Sequence, residues 1–417
     1  MLVTRASKAL VALLIAGLLG GLSAPLAAAA PHRHSVPLTD TRPNTTHCPQ
    51  KQAPPKAVDT SEKPKPGATA PQPLPVPATP AGGPRMAECG FVLPEGAGPL
   101  PKHLDFGSWV LFDLDSGNVL AAKDPHGRQR PASILKSLFA LVVLRDLKMN
   151  KVVTGTQADA NAEGTRVGIV PKGRYTVEQL LTALLLKSGN DLAHALAMQL
   201  GGMDKAVEKM NKLAAQLGCK DTRAATPSGL DGPGMSTSAY DMANIFRTAM
   251  GNPTFAKIVR TQKMSFPDGH GKSYEVANDN KLLGKYPGDL GGKTGFTDDA
   301  QHTFLNAAER DGHRVGLVMM RGMNHLEGMY QNATGLMDYG FALSGANVAP
   351  VGHLDQPAPA AQEQHNQGSP AMANSANDSS NPTWLIVVAV LAVIVLALLV
   401  VLWLYRRGRR KPAADTD

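Results

Sequence analysis

Three groups of residues in this 417-residue chain carry the side chains that acyl transfer needs: Ser133 with Lys136, Ser188 with Asn190, and Lys293 with Thr294 and Gly295. Ser133 and Lys136 are three positions apart, so on a helix they share one face. From Ile134 to Leu144 the chain is nearly all apolar, and Lys136 is its one charge. A helix that is apolar all round is buried, and a buried lysine must be paired or must lose its proton more readily. A neutral amine beside a serine hydroxyl is a base able to activate it. Near a helix N-terminus the dipole also favours the negative charge that develops on attack. The plainer reading of the same residues is a core helix whose lysine snorkels to the surface. Ser188-Gly189-Asn190 falls between two helical stretches, where a serine can relay a proton and an amide can hold a substrate carbonyl. The same three letters recur at Ser116-Gly117-Asn118 as a hairpin turn, so position carries the meaning. Lys293-Thr294-Gly295 follows Leu290-Gly291-Gly292 and precedes a predicted strand. Glycines there let a ligand approach the strand closely, and a lysine with a threonine can grip a carboxylate. The plainer reading is a solvated strand end with an exposed lysine. Taken together, a nucleophile, a base, a proton relay and a cationic anchor suit acyl transfer on a peptide that ends in a free carboxylate.

These residues must be positioned by a mixed fold. Trp109 to Leu114 alternates, meets the turn Asp115-Ser116-Gly117-Asn118 and continues as Val119 to Ala122, a hairpin pattern. Pro131 precedes a long apolar helix over 133–147. Thr176 and Gln179 form a capping box for a helix to about Leu186. Residues 191–200 make another helix, stopped by Gly201-Gly202, and 204–217 has helical periodicity. Late in the chain, 303–308 and 314–320 flank Asp311-Gly312 as a second hairpin, and 326–342 reads as a closing helix. Strands at both ends with helices between them predict an α+β (α/β) architecture: an antiparallel sheet flanked by helices, with a helical insertion. No internal repeat is present.

The ends of the chain read differently. Arg5 and Lys8, the apolar stretch from Ala9 to Leu19 and Ala27-Ala28-Ala29 make a secretory signal over 1–29, with an uncleaved anchor as the alternative. Residues 384–405 are apolar and uncharged, long enough to span a bilayer. Trp384, Trp403 and Tyr405 mark the two ends of this stretch. Arg406, Arg407, Arg409, Arg410 and Lys411 follow, which places the tail 406–417 in the cytoplasm and the rest outside a bacterial cell membrane crossed once. Most of the formal charge of +8 lies in these end segments, and no clustered basic face points to nucleic acid. Residues 30–103 are rich in Pro, Ala and Lys and are predicted to form an extended spacer, while 349–383 reads as a low-complexity stalk. The globular unit is 104–348. Cys48 and Cys89 flank the Pro-rich stretch and can pair in an oxidising compartment, while Cys219 reads as a small buried apolar side chain.

The order S-x-x-K, S-x-N, K-T-G resembles the penicillin-binding proteins and serine β-lactamases. Arg130-Pro131-Ala132-Ser133, Leu185 to Asp191 and Gly292 to Thr297 are most similar to low-molecular-mass, serine-type D-alanyl-D-alanine carboxypeptidases. So are Pro227-Ser228-Gly229-Leu230, the run 236–241 and Asn278 to Leu283. This resemblance implies the penicillin-binding/β-lactamase-like transpeptidase fold. It implies that Ser133 attacks the carbonyl between two D-alanines at the end of a peptidoglycan stem peptide and that Lys136 takes its proton. It further implies a proton relay through Ser188, substrate held by Asn190, and the terminal carboxylate held by Lys293, Thr294 and Gly295. The oxyanion hole would use the backbone N–H groups of Ser133 and Phe296, and β-lactams would be covalent inhibitors. No cofactor and no metal are implied, and none of the twelve histidines forms an H-E-x-x-H pattern. The chain departs from the family pattern where Ala300-Gln301 replaces an alanine–glycine pair, in the short segment after the globular unit, and in its spanning anchor. A β-lactamase would need a deacylating glutamate, and the nearest candidate, Glu208, falls on a predicted helix with the wrong spacing. A non-catalytic wall-binding protein of the same fold is the other alternative, and the intact polar set speaks against it.

Overall fold

The computed structural model describes residue 48 and residues 50–323, 326–346 and 348–355. The expected signal segment, spanning helix and cytoplasmic tail, with nearly all of the stalk, lie outside these residues. Among the described residues no helix is long and apolar enough to cross a membrane.

In chain order the first elements are β1 (Phe91–Val92), β2 (Phe106–Asp113) and β3 (Asn118–Lys123). A 3-10 turn, Ala132–Leu135, leads into α1 (Lys136–Asp146), followed by β4 (Val152–Thr154), α2 (Gln157–Ala160) and β5 (Arg174–Thr176). Five further helices and a short hairpin come next: α3 (Val177–Lys187), α4 (Asn190–Gln199), α5 (Met203–Gln216), α6 (Ala239–Met250), α7 (Pro253–Val259), β6 (Lys263–Pro267) and β7 (Ser273–Ala277). The chain then returns to the main sheet with β8 (Asp289–Thr297), β9 (Gln301–Arg310) and β10 (His313–Gly322), and ends in α8 (Leu326–Gly345) and β11 (Gly352–His353).

The main sheet runs β1-β3-β2-β10-β9-β8, with β11 beside β1 on the outer edge of β3, and every pairing is antiparallel. The early and late hairpins therefore join through β2 and β10. Side chains alternate between the two faces, as a strand's period of two requires. Leu305, Ala307, Val318 and Met320 pack with α1, α3, α4 and α6, while Phe304, Leu317 and Met319 pack with Met329, Ala333 and Leu336 of α8. The sheet is thus covered on both faces, which is why β2 is buried from Phe106 to Phe112. The apolar helix α1 lies in the centre of the larger core, as its all-round hydrophobicity demands.

Helix starts follow local chemistry. The Thr176–Gln179 capping box is formed, and a second one joins Thr156 to Asp159. Asn252 caps α7 with Pro253 in its first turn, and Ser238 caps α6.

Three expectations are corrected. The helix predicted over 133–147 is α-helical only from Lys136, and Ser133 lies in the 3-10 turn before it. Lys293-Thr294-Gly295 lies inside β8 and does not precede a strand. Residues 50–103 are not an extended spacer. Met86 is fully buried, β1 pairs with β3, and Cys48 is bonded to Cys89 with Cα atoms 5.3 Å apart. The physical reason is two buried arginines. Arg128 donates to the carbonyls of Gln52, Leu74 and Pro75, and Arg130 donates to the Pro55 carbonyl and to Glu62. Proline segments make few hydrogen bonds of their own, so their carbonyls are open to such donors. Packing also runs past 348: Leu354 is buried and Tyr240 donates to the His353 carbonyl.

Candidate active site

Lys136 is fully buried at the start of α1, and its Nζ donates to Ser133 Oγ at 2.8 Å, Asn190 Oδ1 at 2.8 Å and the Ser228 carbonyl at 2.6 Å. Its first helical turn places it one turn above Ser133. Burial pushes its pKa well below the ordinary lysine value, the charge of Lys293 pushes the same way, and Asp191 opposes both. The result is an amine that deprotonates readily while held against a serine hydroxyl. Ala132, just before Ser133, has φ 48°, a left-handed conformation that a residue with a Cβ adopts at a cost. Two contacts hold it there. Thr303 Oγ1 donates to the Pro131 carbonyl at 2.9 Å, and Gly229 packs on the Ala132 carbonyl where a Cβ would collide.

The second group sits at the junction of α3 and α4. Ser188 ends α3 in a left-handed conformation, φ 67°, and Gly189 opens α4. Ser188 Oγ is buried with no hydrogen-bond partner among the described residues, which leaves it open to a substrate or water. Asn190 is held by its Nδ2, which donates to the Glu163 carbonyl at 2.7 Å, and by its backbone N–H, which donates to the Thr165 carbonyl. That pairing turns its Oδ1 toward Lys136. Asp191, fully buried, accepts from the backbone N–H groups of Val167, Gly168 and Ile169, so it ties the loop supplying those carbonyls to the start of α4.

The third group lies on β8, the edge strand. Lys293 is buried, and its Nζ donates to the Thr294 carbonyl at 2.7 Å. Burial lowers its pKa to about 8, with Asp279 opposing and Lys187 adding to the shift. Gly295 is where β8 passes the serine turn: a Cβ there would lie 2.8 Å from Ser133 N and 3.1 Å from Ile134 N, and would collide with Thr303 Oγ1. The strand and the serine turn approach this closely because position 295 has no side chain. Thr294 is half-buried and Phe296 is exposed beside them. Gln301 takes φ 56° and its amide donates to the Asp298 carbonyl, so the residue that departs from the alanine–glycine pattern adopts a glycine-like backbone steadied by its own side chain.

Among the described residues the one group of metal-ligating side chains is His126, Asp221 and Asp241, which shares no residue with this cluster. Both ring nitrogens of His126 are engaged, Nδ1 with Asp221 at 2.7 Å and Nε2 with the Ala81 carbonyl at 3.1 Å, and Arg128 donates to the other Asp221 oxygen. That is an ion-pair network without a free ligand on the imidazole. Glu208 is exposed on α5 and bonded to Lys205.

Residues 97–324 match the peptidase S11 family, D-alanyl-D-alanine carboxypeptidase. The chain belongs to this family. It is 46% identical over 257 residues to D-alanyl-D-alanine carboxypeptidase DacB2 of Mycobacterium tuberculosis, covering 61% of this chain and 88% of that protein. It is 30% identical over 241 residues to D-alanyl-D-alanine carboxypeptidase DacF of Bacillus subtilis, covering 56% of this chain and 62% of the relative. A crystal structure of the D-alanyl-D-alanine carboxypeptidase from M. tuberculosis H37Rv superposes with a TM-score of 0.60 at 45% identity, covering 63% of this chain and 99% of that one. The Streptomyces K15 DD-transpeptidase superposes with a TM-score of 0.56 at 28% identity, covering 59% of this chain and all of that one.

In this member of the peptidase S11 family the structure brings Ser133, Lys136 and Asn190 into one hydrogen-bonded cluster. The Gly295 contact brings β8 against it. The sequence of Pro227-Ser228-Gly229-Leu230 shows a family resemblance but no chemical role. The Ser228 carbonyl is the third acceptor of Lys136, and a backbone group leaves no side-chain signal. The family match begins at residue 97, so the packed N-terminal arm lies outside it.

Proposed function

We propose that the protein is a serine-type D-alanyl-D-alanine carboxypeptidase that shortens peptidoglycan stem peptides through an acyl-enzyme and is inhibited by β-lactams. The observation that carries this reading is the buried Lys136 amine within 2.8 Å of Ser133 Oγ, in a chain of this family. Lys136 Nζ takes the hydroxyl proton as Ser133 Oγ attacks the carbonyl carbon of the penultimate residue. The backbone N–H groups of Ser133 and Phe296 take the negative charge of the tetrahedral intermediate. Ser188 Oγ, with no hydrogen-bond partner among the described residues, passes the proton to the departing amine of the terminal D-alanine. Asn190 orients the substrate amide, and Lys293, Thr294 and Gly295 hold the terminal carboxylate on β8. Water then attacks the ester carbonyl and gives a proton to Lys136, which passes it to the departing Ser133 Oγ as the shortened peptide leaves.

The same reading assigns residues 1–29 to export, 384–405 to a single membrane span and 406–417 to the cytoplasmic side, with the catalytic unit outside. Its support is the apolar run of 384–405 followed by five cations within six residues.

The test is incubation of the full chain and of Ser133→Ala with a fluorescent penicillin and, separately, with a peptide ending in D-Ala-D-Ala. The wild type is expected to carry a stable label and to release D-alanine. Ser133→Ala is expected to lose both while melting at an unchanged temperature. Fast turnover of the penicillin with no stable label would instead identify a β-lactamase.

A further inference from the structure

We infer that the N-terminal arm is a strap that sets the geometry of the active site, with Arg130 and Glu62 as its positioning residues. This rests on the acyl-enzyme reading above. Arg130 stands three residues before Ser133 and its side chain is buried. Its guanidinium grips Glu62 at both oxygens, 2.5 and 2.8 Å, and donates to the Pro55 carbonyl at 2.7 Å. The same stretch of arm holds the opposite wall of the site. The Val58 N–H donates to Asp299 Oδ1 at 2.5 Å, and Ser61 Oγ lies 3.4 Å from Asp299 Oδ2. Asp299 is in the turn joining β8 to β9, two residues beyond Thr297. Arg130 and Asp299 are themselves 3.9 Å apart. Residues 55–62 therefore bridge the approach to the nucleophile and the end of the strand that carries Lys293 and Thr294.

Both bridged segments contain a residue with a side chain in the left-handed region, Ala132 at φ 48° and Gln301 at φ 56°. Such conformations persist only where surrounding contacts over-determine them. The strap supplies contacts to both segments from one short stretch, Pro55 to Glu62. The arm is closed on itself by the Cys48–Cys89 bond and anchored further along by Arg128 and Arg223, which donate to the carbonyls of Leu74, Pro75 and Gln72. Loss of the Glu62–Arg130 grip leaves those anchors in place. It frees the turn before Ser133 to move relative to β8, and a shift of about 1 Å in reacting groups costs on the order of a hundredfold in rate.

The experiment measures the second-order rate of acylation by a fluorescent penicillin, together with melting temperature, for the full chain and three variants. These are Glu62→Gln, Arg130→Lys and, as a control on the same arm, Glu88→Gln, whose partner Arg85 is an exposed neighbour. Glu62→Gln and Arg130→Lys are expected to lower the acylation rate by at least about tenfold at a temperature where each is fully folded. Lysine fails to replace Arg130 because one ammonium cannot hold both carboxylate oxygens and the Pro55 carbonyl in a planar fork. Glu88→Gln is expected to acylate as the wild type does. An unchanged acylation rate in Glu62→Gln, or a loss that only follows the unfolded fraction, overturns the strap. Loss of labelling by the wild type itself would instead overturn the acyl-enzyme reading.

Discussion

Two buried lysines share one site, and the charge of one acts on the other. The charge on Lys293 lowers the Lys136 pKa, and burial, aided by Lys187 and opposed by Asp279, brings Lys293 to about 8. Burial and the charge of Lys293 both lower the Lys136 pKa, which suits Lys136 to the part of base and Lys293 to the part of cation in the proposed mechanism. The pH dependence follows. The carboxylate anchor is lost as pH rises through about 8, so kcat/KM for peptides with a free terminal carboxylate is expected to fall on a basic limb near that value. Lys293→Arg, which keeps its charge, is expected to move that limb beyond pH 10. Rate profiles of the two proteins from pH 6 to 10 check this, and superimposable basic limbs would contradict the anchor. Stability has the opposite slope. Between about 8 and 10.5 the unfolded chain holds a proton that folded Lys293 has lost. Burying this group therefore costs stability below that window, and the cost is relieved as pH rises through it, by up to about 3 kcal/mol.

Helices and strands bring these residues together, and the tightest junction is β8 against the serine turn. Gly295→Ala is expected to force the two apart, because the new methyl group meets backbone nitrogens of Ser133 and Ile134. We expect acylation to fall by on the order of a hundredfold, while far-ultraviolet circular dichroism and the folded sheet are retained. Stopped-flow labelling checks this, and wild-type rates would show that the strand yields without moving Ser133. Much of this scale was legible in the residues. The hairpins around Asp115 to Asn118 and Asp311-Gly312, the capping box at Thr176 and the stop at Gly201-Gly202 all come from short-range chemistry that the chain displays openly. Other elements carry a weaker signal. Helix α7 is short, with its start marked by Asn252-Pro253, and the β6–β7 hairpin buries only Phe266 and Val276, too few apolar positions to show a period. The placement of Lys293 inside β8 is also hidden, since Gly291 and Gly292 disguise the strand as a loop.

At the scale of the whole molecule, the described residues form a catalytic unit wrapped by an arm that composition alone marks as unstructured. Its contacts were hidden because they run from arginine side chains to backbone carbonyls, and neither hydropathy nor periodicity records a carbonyl. The Cys48–Cys89 bond closes a loop with a sequence separation of 41, for which chain entropy gives about 4 kcal/mol. Cys48→Ser with Cys89→Ser is expected to lower the melting temperature, and dithiothreitol to do the same to the wild type but not to the double variant. Equal melting with and without reductant would show that the arginine anchors suffice. Cys219, buried and with its thiol pushed well above its usual range, offers no competing partner. A guanidinium that binds Gln52, Leu74 and Pro75 through their carbonyls reads no side chain at all. Most positions of the arm are therefore open to substitution during divergence, provided the backbone path survives. Glu62, the two cysteines and the core residue Met86 are among the places where a change of letter would be felt, so selection can retune the arm's outer face without disturbing the chemistry beneath it.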